Sequence, residues 1–321
     1  MTTQVTIRQP AFHEYAALAA FLGTVRPHHP PEAAEMLHHD QHTPEDRLRL
    51  RLIAEQDGAV IGHGSALQSP TYPADFYEVM LDVEPQRRRL GIATSIYHAL
   101  RRELAGRGSL TLSSEVREDW PAGLALAEKL GFRERMRFWE SALDPAACDL
   151  ARYAERRAAA AAVGYRIVSL REWLAGDRMA AARRLHAALA DLQRDVPRAA
   201  PYSHPPFEIW LPQSLATPDI VEDGYFIALA GEEIVGVSQL WGFHEPGVFL
   251  TGLTAVLPAH RRRGLALALK CRALEYARDA GYHEVRTGNA SENHAMIAIN
   301  DALGFVRYPA WLQMALSVPA G

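Results

Sequence analysis

Cysteine is nearly absent from this chain: its 321 residues include two, Cys148 and Cys271. A pair so far apart supplies neither a disulfide framework nor the grouped spacing of a zinc site. Positive charge is not in excess either. Lys and Arg number 34 against 38 Asp and Glu, a net charge of −4, which argues against a general nucleic-acid binder. No apolar run reaches the roughly 18 residues that span a bilayer. The polar N-terminus, Met1 to Arg8, lacks a signal-peptide pattern. A cytoplasmic, soluble protein with no membrane partner and no nucleic-acid partner is the expectation. The one cluster that invites a metal, His38, His39, Asp40 and His42, reads as solvated polar residues, and no metal is expected.

What the chain does have is a sentence written twice. Residues 83–93 read Val-Glu-Pro-Gln-Arg-Arg-Arg-Leu-Gly-Ile-Ala; residues 256–266 read Val-Leu-Pro-Ala-His-Arg-Arg-Arg-Gly-Leu-Ala. Gly91 and Gly264 are 173 residues apart, and so are Gly131 and Gly304 in two copies of Leu-Gly-Phe. Gly62 and Gly236 keep nearly the same distance, 174 residues. A period this long is domain-sized, far above the roughly 20–50 residues of solenoid repeats. The chain is therefore read as a duplicated domain, and its length suits two domains of roughly 100–200 residues each. The boundaries are expected at 1–143, a helical connector over 144–164, and 165–321.

Each half reads as a strand, a helix, a Pro-rich segment, a hairpin, an apolar strand into the motif, a helix, a strand and a final helix. The Pro-rich segments are His28-His29-Pro30-Pro31 in the first half and 197–212 in the second. Gln56-Asp57-Gly58 and Gly231-Glu232 mark the hairpin turns. Gly131 and Gly304 stand where C-terminal helix caps are expected. Asp144-Pro145 reads as the start of the connector helix, 171–192 as one long amphipathic stretch, and Trp120-Pro121 as a disturbance of the last helix of the first half.

The repeated motif has the chemistry of an anion cradle. A helix that starts at the Gly leaves its first amides without intrahelical partners. With the helix dipole these suit a pyrophosphate. Gly lets the backbone approach the anion, and the Arg residues can add charge-assisted hydrogen bonds. An isolated Arg run is usually a solvated charge cluster; the repeated frame around it reverses that judgement.

This pattern resembles the acyl-CoA-binding motif of the GNAT superfamily of N-acetyltransferases, Arg/Gln-x-x-Gly-x-Gly/Ala, present twice. The run Asn293-x-x-Met296-x-x-x-Asn300-x-x-Leu303-Gly304-Phe305 resembles that superfamily's next motif. The tandem arrangement is similar to the two-domain type that includes mycothiol synthases. The resemblance implies an α/β (α+β) fold: two tandem domains, each a central mixed, mostly antiparallel twisted sheet flanked by helices. It implies acetyl-CoA as cofactor. Backbone at Leu253, Thr254, Ala255 and Val256 would bind the pantetheine arm and thioester carbonyl. In the first copy the corresponding stretch is Met80 to Val83, with Leu81 and Asp82. The amides of Arg261, Arg262, Arg263, Gly264, Leu265 and Ala266 would cradle the pyrophosphate. Those of Arg88, Arg89, Leu90, Gly91, Ile92 and Ala93 would do so in the first copy. Asn293 would contact the pantetheine region and Asn289 would help order the site.

Asn289, Asn293 and Asn300 correspond to Val116, Trp120 and Ala127 in the first half. On that ground the second domain is expected to be catalytic and the first degenerate. The family's usual Tyr general acid is missing from both copies, at Ala127 and Asn300. Asn300 and Tyr308 are the catalytic candidates that remain. No carboxylate stands out as a base in the second half, while Glu78 and Asp82 share one face of a strand in the first. Tyr202, Phe207 and Trp210 are the candidate substrate residues, in an aromatic, Pro-rich segment. The implied reaction is direct attack of a small-molecule amine on acetyl-CoA in a ternary complex, by a monomer or homodimer. The alternatives are a non-catalytic CoA-binding regulatory protein and, disfavoured by charge, a nucleic-acid-binding module.

Overall fold

The computed structural model describes residues 5–27, 30–69, 71–243 and 245–320; His28 and His29 of the first Pro-rich segment lie outside them. Strands follow in chain order as β1 (Thr6–Arg8), β2 (Arg49–Gln56), β3 (Ala59–Leu67), β4 (Phe76–Val83), β5 (Leu110–Arg117), β6 (Arg133–Leu143), β7 (Tyr165–Ser169), β8 (Phe226–Ala230), β9 (Glu233–Gly242), β10 (Val248–Val256), β11 (Glu284–Ala290), β12 (Val306–Arg307) and β13 (Trp311–Val318). Helices are α1 (Tyr15–Val25), α2 (Ala33–Gln41), α3 (Ile92–Glu103), α4 (Pro121–Lys129), α5 (Ala154–Ala162), α6 (Leu170–Trp173), α7 (Arg178–Leu192), α8 (Phe207–Trp210), α9 (Leu265–Asp279) and α10 (His294–Leu303). Among the described residues, no helix is long and apolar enough to cross a membrane.

The chain divides into two compact units. The first comprises the described residues of Met1–Arg135, Ala199–Pro205 and Leu312–Gly321; the second comprises those of Met136–Arg198 and Pro206–Trp311. The sheet of the first unit runs β1-β2-β3-β4-β5-β13, and that of the second β7-β8-β9-β10-β11-β6. In each, one parallel pair interrupts antiparallel neighbours: β4 with β5, and β10 with β11. These are the mixed, mostly antiparallel sheets that the sequence leads one to expect. The outermost strand on the β5 or β11 side comes from the opposite half of the sequence in both cases.

Three local readings need correction. The stretch over 171–192 is two helices, because Asp177 caps a new one, its carboxylate accepting from the amides of Met179 and Ala180. The connector helix starts at Ala154, not at Asp144-Pro145, and packs on α9 through a two-pronged Arg157–Glu275 ion pair. Pro121 does not disturb α4 but opens it, at the first helical position where no amide bond is lost. Gly304 caps α10 at φ 94°, as its place after Leu303 predicts.

The first unit's sheet has two unlike faces. On one, α3 lies close because Gly62 and Gly64 of β3 have no side chains. A Cβ at Gly64 would overlap Ile96 Cγ2 and crowd Leu100. The opposite face, toward α1, carries Arg51 on β2, His63 and Ser65 on β3, and Glu78, Met80 and Asp82 on β4, fixed by the pairs Arg51↔Ser65, Ser65↔Met80 and His63↔Asp82. Asp82 is held by Arg26, whose Nε is 2.6 Å from Oδ1, and by His63, whose Nδ1 is 3.1 Å from Oδ2. Burial alone would raise this carboxyl. The His63 hydrogen bond and the Arg26 charge outweigh it and hold the pKa at about 2. Burial pushes His63 down, so the ring is neutral at pH 7 and donates Nδ1–H to the carboxylate. Asp40, read as solvated, is instead buried, accepting from Arg49, Arg51 and the Tyr15 hydroxyl. Around it, Tyr15, Leu18, Leu22, Met36 and Ile53 form the apolar part of this face.

Two outcomes follow from these faces. Gly64→Val forces a methyl-bearing carbon into the α3 contact and is expected to cost about 1–3 kcal/mol, read as a lower urea midpoint with unchanged slope. Asp82 has a folded pKa below the roughly 3.9 of an unfolded chain, so its contribution is full above about pH 4 and is lost as the pH falls toward 2. The stability advantage of wild type over Asp82→Asn is therefore expected to be about 2–3 kcal/mol near neutrality and to vanish by about pH 2. An advantage that does not change with pH would contradict this assignment.

Candidate active site

The two motif loops have the same backbone. A single 3₁₀ turn, Pro85–Arg87 or Pro258–His260, leads from the strand. Arg88 and Arg261 are extended, at φ −67° and −70°. Arg89 and Arg262 are left-handed, at φ 68° and 64°. Gly91 and Gly264 are left-handed N-caps, at φ 83° and 74°. Non-Gly residues seldom adopt positive φ, so matching torsions at two places mark a constrained loop. The first copy, expected to be degenerate for want of the three asparagines, keeps this loop, as its surviving phosphate motif implies.

Beyond the loop, the first intrahelical bonds are Ser95 N–H to Gly91 O and Ala268 N–H to Gly264 O, both 2.9 Å. The amides of Ile92, Ala93 and Thr94, and of Leu265, Ala266 and Leu267, thus have no acceptor within their helices. Neither helix has an acidic residue in its first turn to offset the positive end of its dipole. That combination binds anions.

Several of the arginine side chains bond within the chain. Arg88 Nε donates to the Val83 carbonyl at 3.2 Å, and Arg261 Nε to the Val256 carbonyl at 2.8 Å. Each guanidinium folds back to tie the loop to the end of its strand. Arg261 also pairs with Asp195 at 2.7 Å, and Arg263 Nη1 donates to the Tyr165 hydroxyl at 3.1 Å. Arg89 and Arg262 contribute backbone shape, and Leu90 is 68% exposed on the loop.

A cavity of about 850 Å³ opens against the first loop. Its walls are the edge of β4 at Leu81, Asp82 and Val83, the loop and helix start at 87–89 and 91–94, the end of α1 at Thr24 and Val25, and α4 with Trp120. The edge is open because β4 and β5 pair only at Phe76↔Thr111, Tyr77↔Leu112 and Glu78↔Ser113, then part. Strands β10 and β11 part in the same way after Thr251↔Thr287. There, β10 also bulges against β9 between Thr251 and Thr254.

Around that bulge the second unit is tightly filled. The Leu253 amide, in the stretch expected to meet a thioester, already donates to Gln239 Oε1 at 2.9 Å. A Cβ at Gly252 would overlap Trp241 and Gln239. Ser238 Oγ and Thr254 Oγ1 are 3.0 Å apart, while Ala255 packs on the apolar cluster. Asn293 caps α10, its side chain accepting from Met296 N–H at 3.3 Å. Asn300 is buried and donates to Asn289 Oδ1 at 2.5 Å. Asn293 thus serves the start of α10 and Asn300 holds Asn289, while Asn300 Oδ1 is buried with no hydrogen-bond partner among the described residues. Tyr308 is 39% exposed, and its amide donates to the Glu140 carbonyl.

The candidate substrate aromatics fall in different units. Phe207 and Trp210 are buried beside His186 in the second unit's core. Tyr202 belongs to the first unit, its hydroxyl 3.0 Å from His204 Nδ1, with the neighbouring Ser203 amide bonded to the Thr71 carbonyl. Sequence reasoning gave little weight to Glu78 and passed over His63. The signal for both was alternation: charged residues at every second position of a strand, with helices on either side.

Comparison with known proteins agrees with this geometry. Solved structures of similar fold include a GCN5-related N-acetyltransferase from Sphaerobacter thermophilus (18% identity, 99% of this chain and 96% of that one, TM-score 0.67). A tandem GNAT protein from the clavulanic acid biosynthesis pathway matches at 20% identity, 99% of both chains and TM-score 0.69. Likenesses at this identity show the fold. No curated protein matches the chain. The sequence itself matches the Acetyltransferase (GNAT) family twice, over residues 14–132 and 186–305. Two copies of the motif, of its loop backbone and of the parted parallel strands make this chain a tandem acetyltransferase that belongs to the GNAT family.

Proposed function

We propose that the protein moves an acetyl group from acetyl-CoA to an amine of a small molecule, by direct attack within a ternary complex. The observation that carries this reading is the first-unit cavity. It joins unpartnered helix amides, which suit a pyrophosphate, to an open strand edge, which suits the amide-bearing pantetheine arm. Its volume lies in the range of small-molecule and cofactor sites. The chemistry requires an ammonium of pKa about 10 to lose a proton before attack.

A second reading, CoA binding without catalysis, is favoured by one feature. The position of the family's usual Tyr holds Ala127 in one copy and the buried, hydrogen-bonded Asn300 in the other. Amine-dependent release of CoA thiol rejects that reading.

Acetyl-CoA titrated into the protein by calorimetry is expected to bind. Gly91→Glu places bulk and negative charge in the first loop and is expected to weaken that site by ~10-fold or more, about 1.4 kcal/mol or more. Gly264→Glu makes the same test of the second loop. Absence of binding by wild type at high micromolar acetyl-CoA would overturn the reading.

A further inference from the structure

The copies differ most on the sheet face turned away from α3 and α9. Register makes the comparison residue by residue. In the first unit Gly62↔Val83 is followed by His63↔Asp82; in the second, Gly236↔Val256 is followed by Val237↔Ala255. A buried, hydrogen-bonded His–Asp couple in one copy is thus a purely apolar couple in the other. Further along the strands, Glu78 stands at the last pair before β4 and β5 part, and Thr251 at the last pair before β10 and β11 part.

We propose that acyl transfer takes place in the first unit, with Glu78 taking the proton from the ammonium of a cationic small-molecule amine bound on the polar face of its sheet. This rests on the acetyl-CoA reading above and reverses the expectation that the second copy is the working one.

Three observations converge on it. The cofactor-sized cavity is lined by β4 at Leu81, Asp82 and Val83, three to five residues past Glu78 on the same strand and beyond the last β4–β5 pair. Glu78 is partly buried, with Glu115 of β5 and Arg49 of β2 close enough to act on its charge. Burial, reinforced by Glu115 and opposed by Arg49, raises Glu78 to about 7, where a carboxylate is an effective base at neutral pH. His63 Nε2 and Ser65 Oγ are buried on the same face with no hydrogen-bond partner among the described residues. Each unsatisfied group costs stability, and both lie on the face that carries Glu78. In the second unit the corresponding face is closed by apolar contacts and by the Gln239 bond to the Leu253 amide.

The step balances as follows. The Glu78 carboxylate accepts one proton from the ammonium. The freed nitrogen lone pair attacks the thioester carbonyl carbon, and the carbon–sulfur bond breaks with its electron pair on sulfur. The thiolate takes up one of the two protons released from nitrogen. The products are the acetamide, CoA thiol and one proton to solvent.

The test uses the full chain with spermidine, tyramine, cadaverine and glucosamine as acceptor probes, read as CoA thiol release; both protein thiols are buried. Wild type is expected to acetylate at least one probe, with kcat/KM rising through about pH 7. Glu78→Gln is expected to lower kcat about 100-fold or more and to abolish that rise, with the KM for acetyl-CoA unchanged. Glu78→Asp should restore part of the rate, and Gly91→Glu should lower turnover at limiting acetyl-CoA about 10-fold or more. Thermal melting checks that each variant is folded. Turnover that survives Glu78→Gln and Gly91→Glu but is lost in Gly264→Glu overturns the assignment and leaves the acetyltransferase reading standing. Bound acetyl-CoA with no amine acetylated by wild type removes both.

Discussion

Two parallel strands that start side by side and then part are the constraint from which both motif regions are built. Parallel pairing ends after Glu78 in one unit and after Thr251 in the other. Beyond those points β4 and β10 remain bonded on their other edge, to β3 and β9. The result is a rigid strand with one side exposed to a ligand. The loop that follows is held to the same strand by the Arg88 or Arg261 bond to its last carbonyl. The helix amides are aimed by that loop. Strand edge, loop and helix end therefore form one unit, which the fold positions without side-chain chemistry specific to any acceptor.

The acceptor chemistry we propose lies on the neighbouring face, and there the two copies differ. The first retains ionisable groups under α1 and makes them tolerable by pairing: Asp82 with Arg26 and His63, Asp40 with Arg49, Arg51 and Tyr15. The second replaces them with Tyr225, Ile227, Val237 and Ala255 packed on Leu170, Leu185 and Trp210. Buried ionic groups are expensive compared with a hydrocarbon core of the same size. Their retention in one copy is best explained by use.

Much of this was legible in the sequence. Val-x-Pro-x-x-Arg, then Gly and a small residue, describes a strand, a turn and a helix start, and the torsions at Gly91 and Gly264 agree. Gly304 reads correctly as a cap because only a left-handed residue ends α10 there. What was not legible depends on direction and partner. An Arg beside a phosphate loop looks the same in sequence whether it faces ligand or its own strand. Phe207 and Trp210 look like a lid until His186 and the α7 face are known to surround them. Asn293 satisfies a helix end and so repeats a family pattern for a local reason. Glu78 and His63 were hard to weigh because alternation predicts a shared face but not whether water or protein covers it.

The exchange of outer strands also bears on how such a chain evolves. Strand β6 is encoded in the first half and lies in the second unit's sheet; β13 is encoded in the second half and lies in the first's. After an ordinary gene duplication, a redundant copy is free to be deleted. Here, deletion of either half would also strip a border strand from the sheet that remains and uncover its backbone to aggregation. Selection on one active centre is then enough to preserve both halves, while side chains in the other centre are left free to drift.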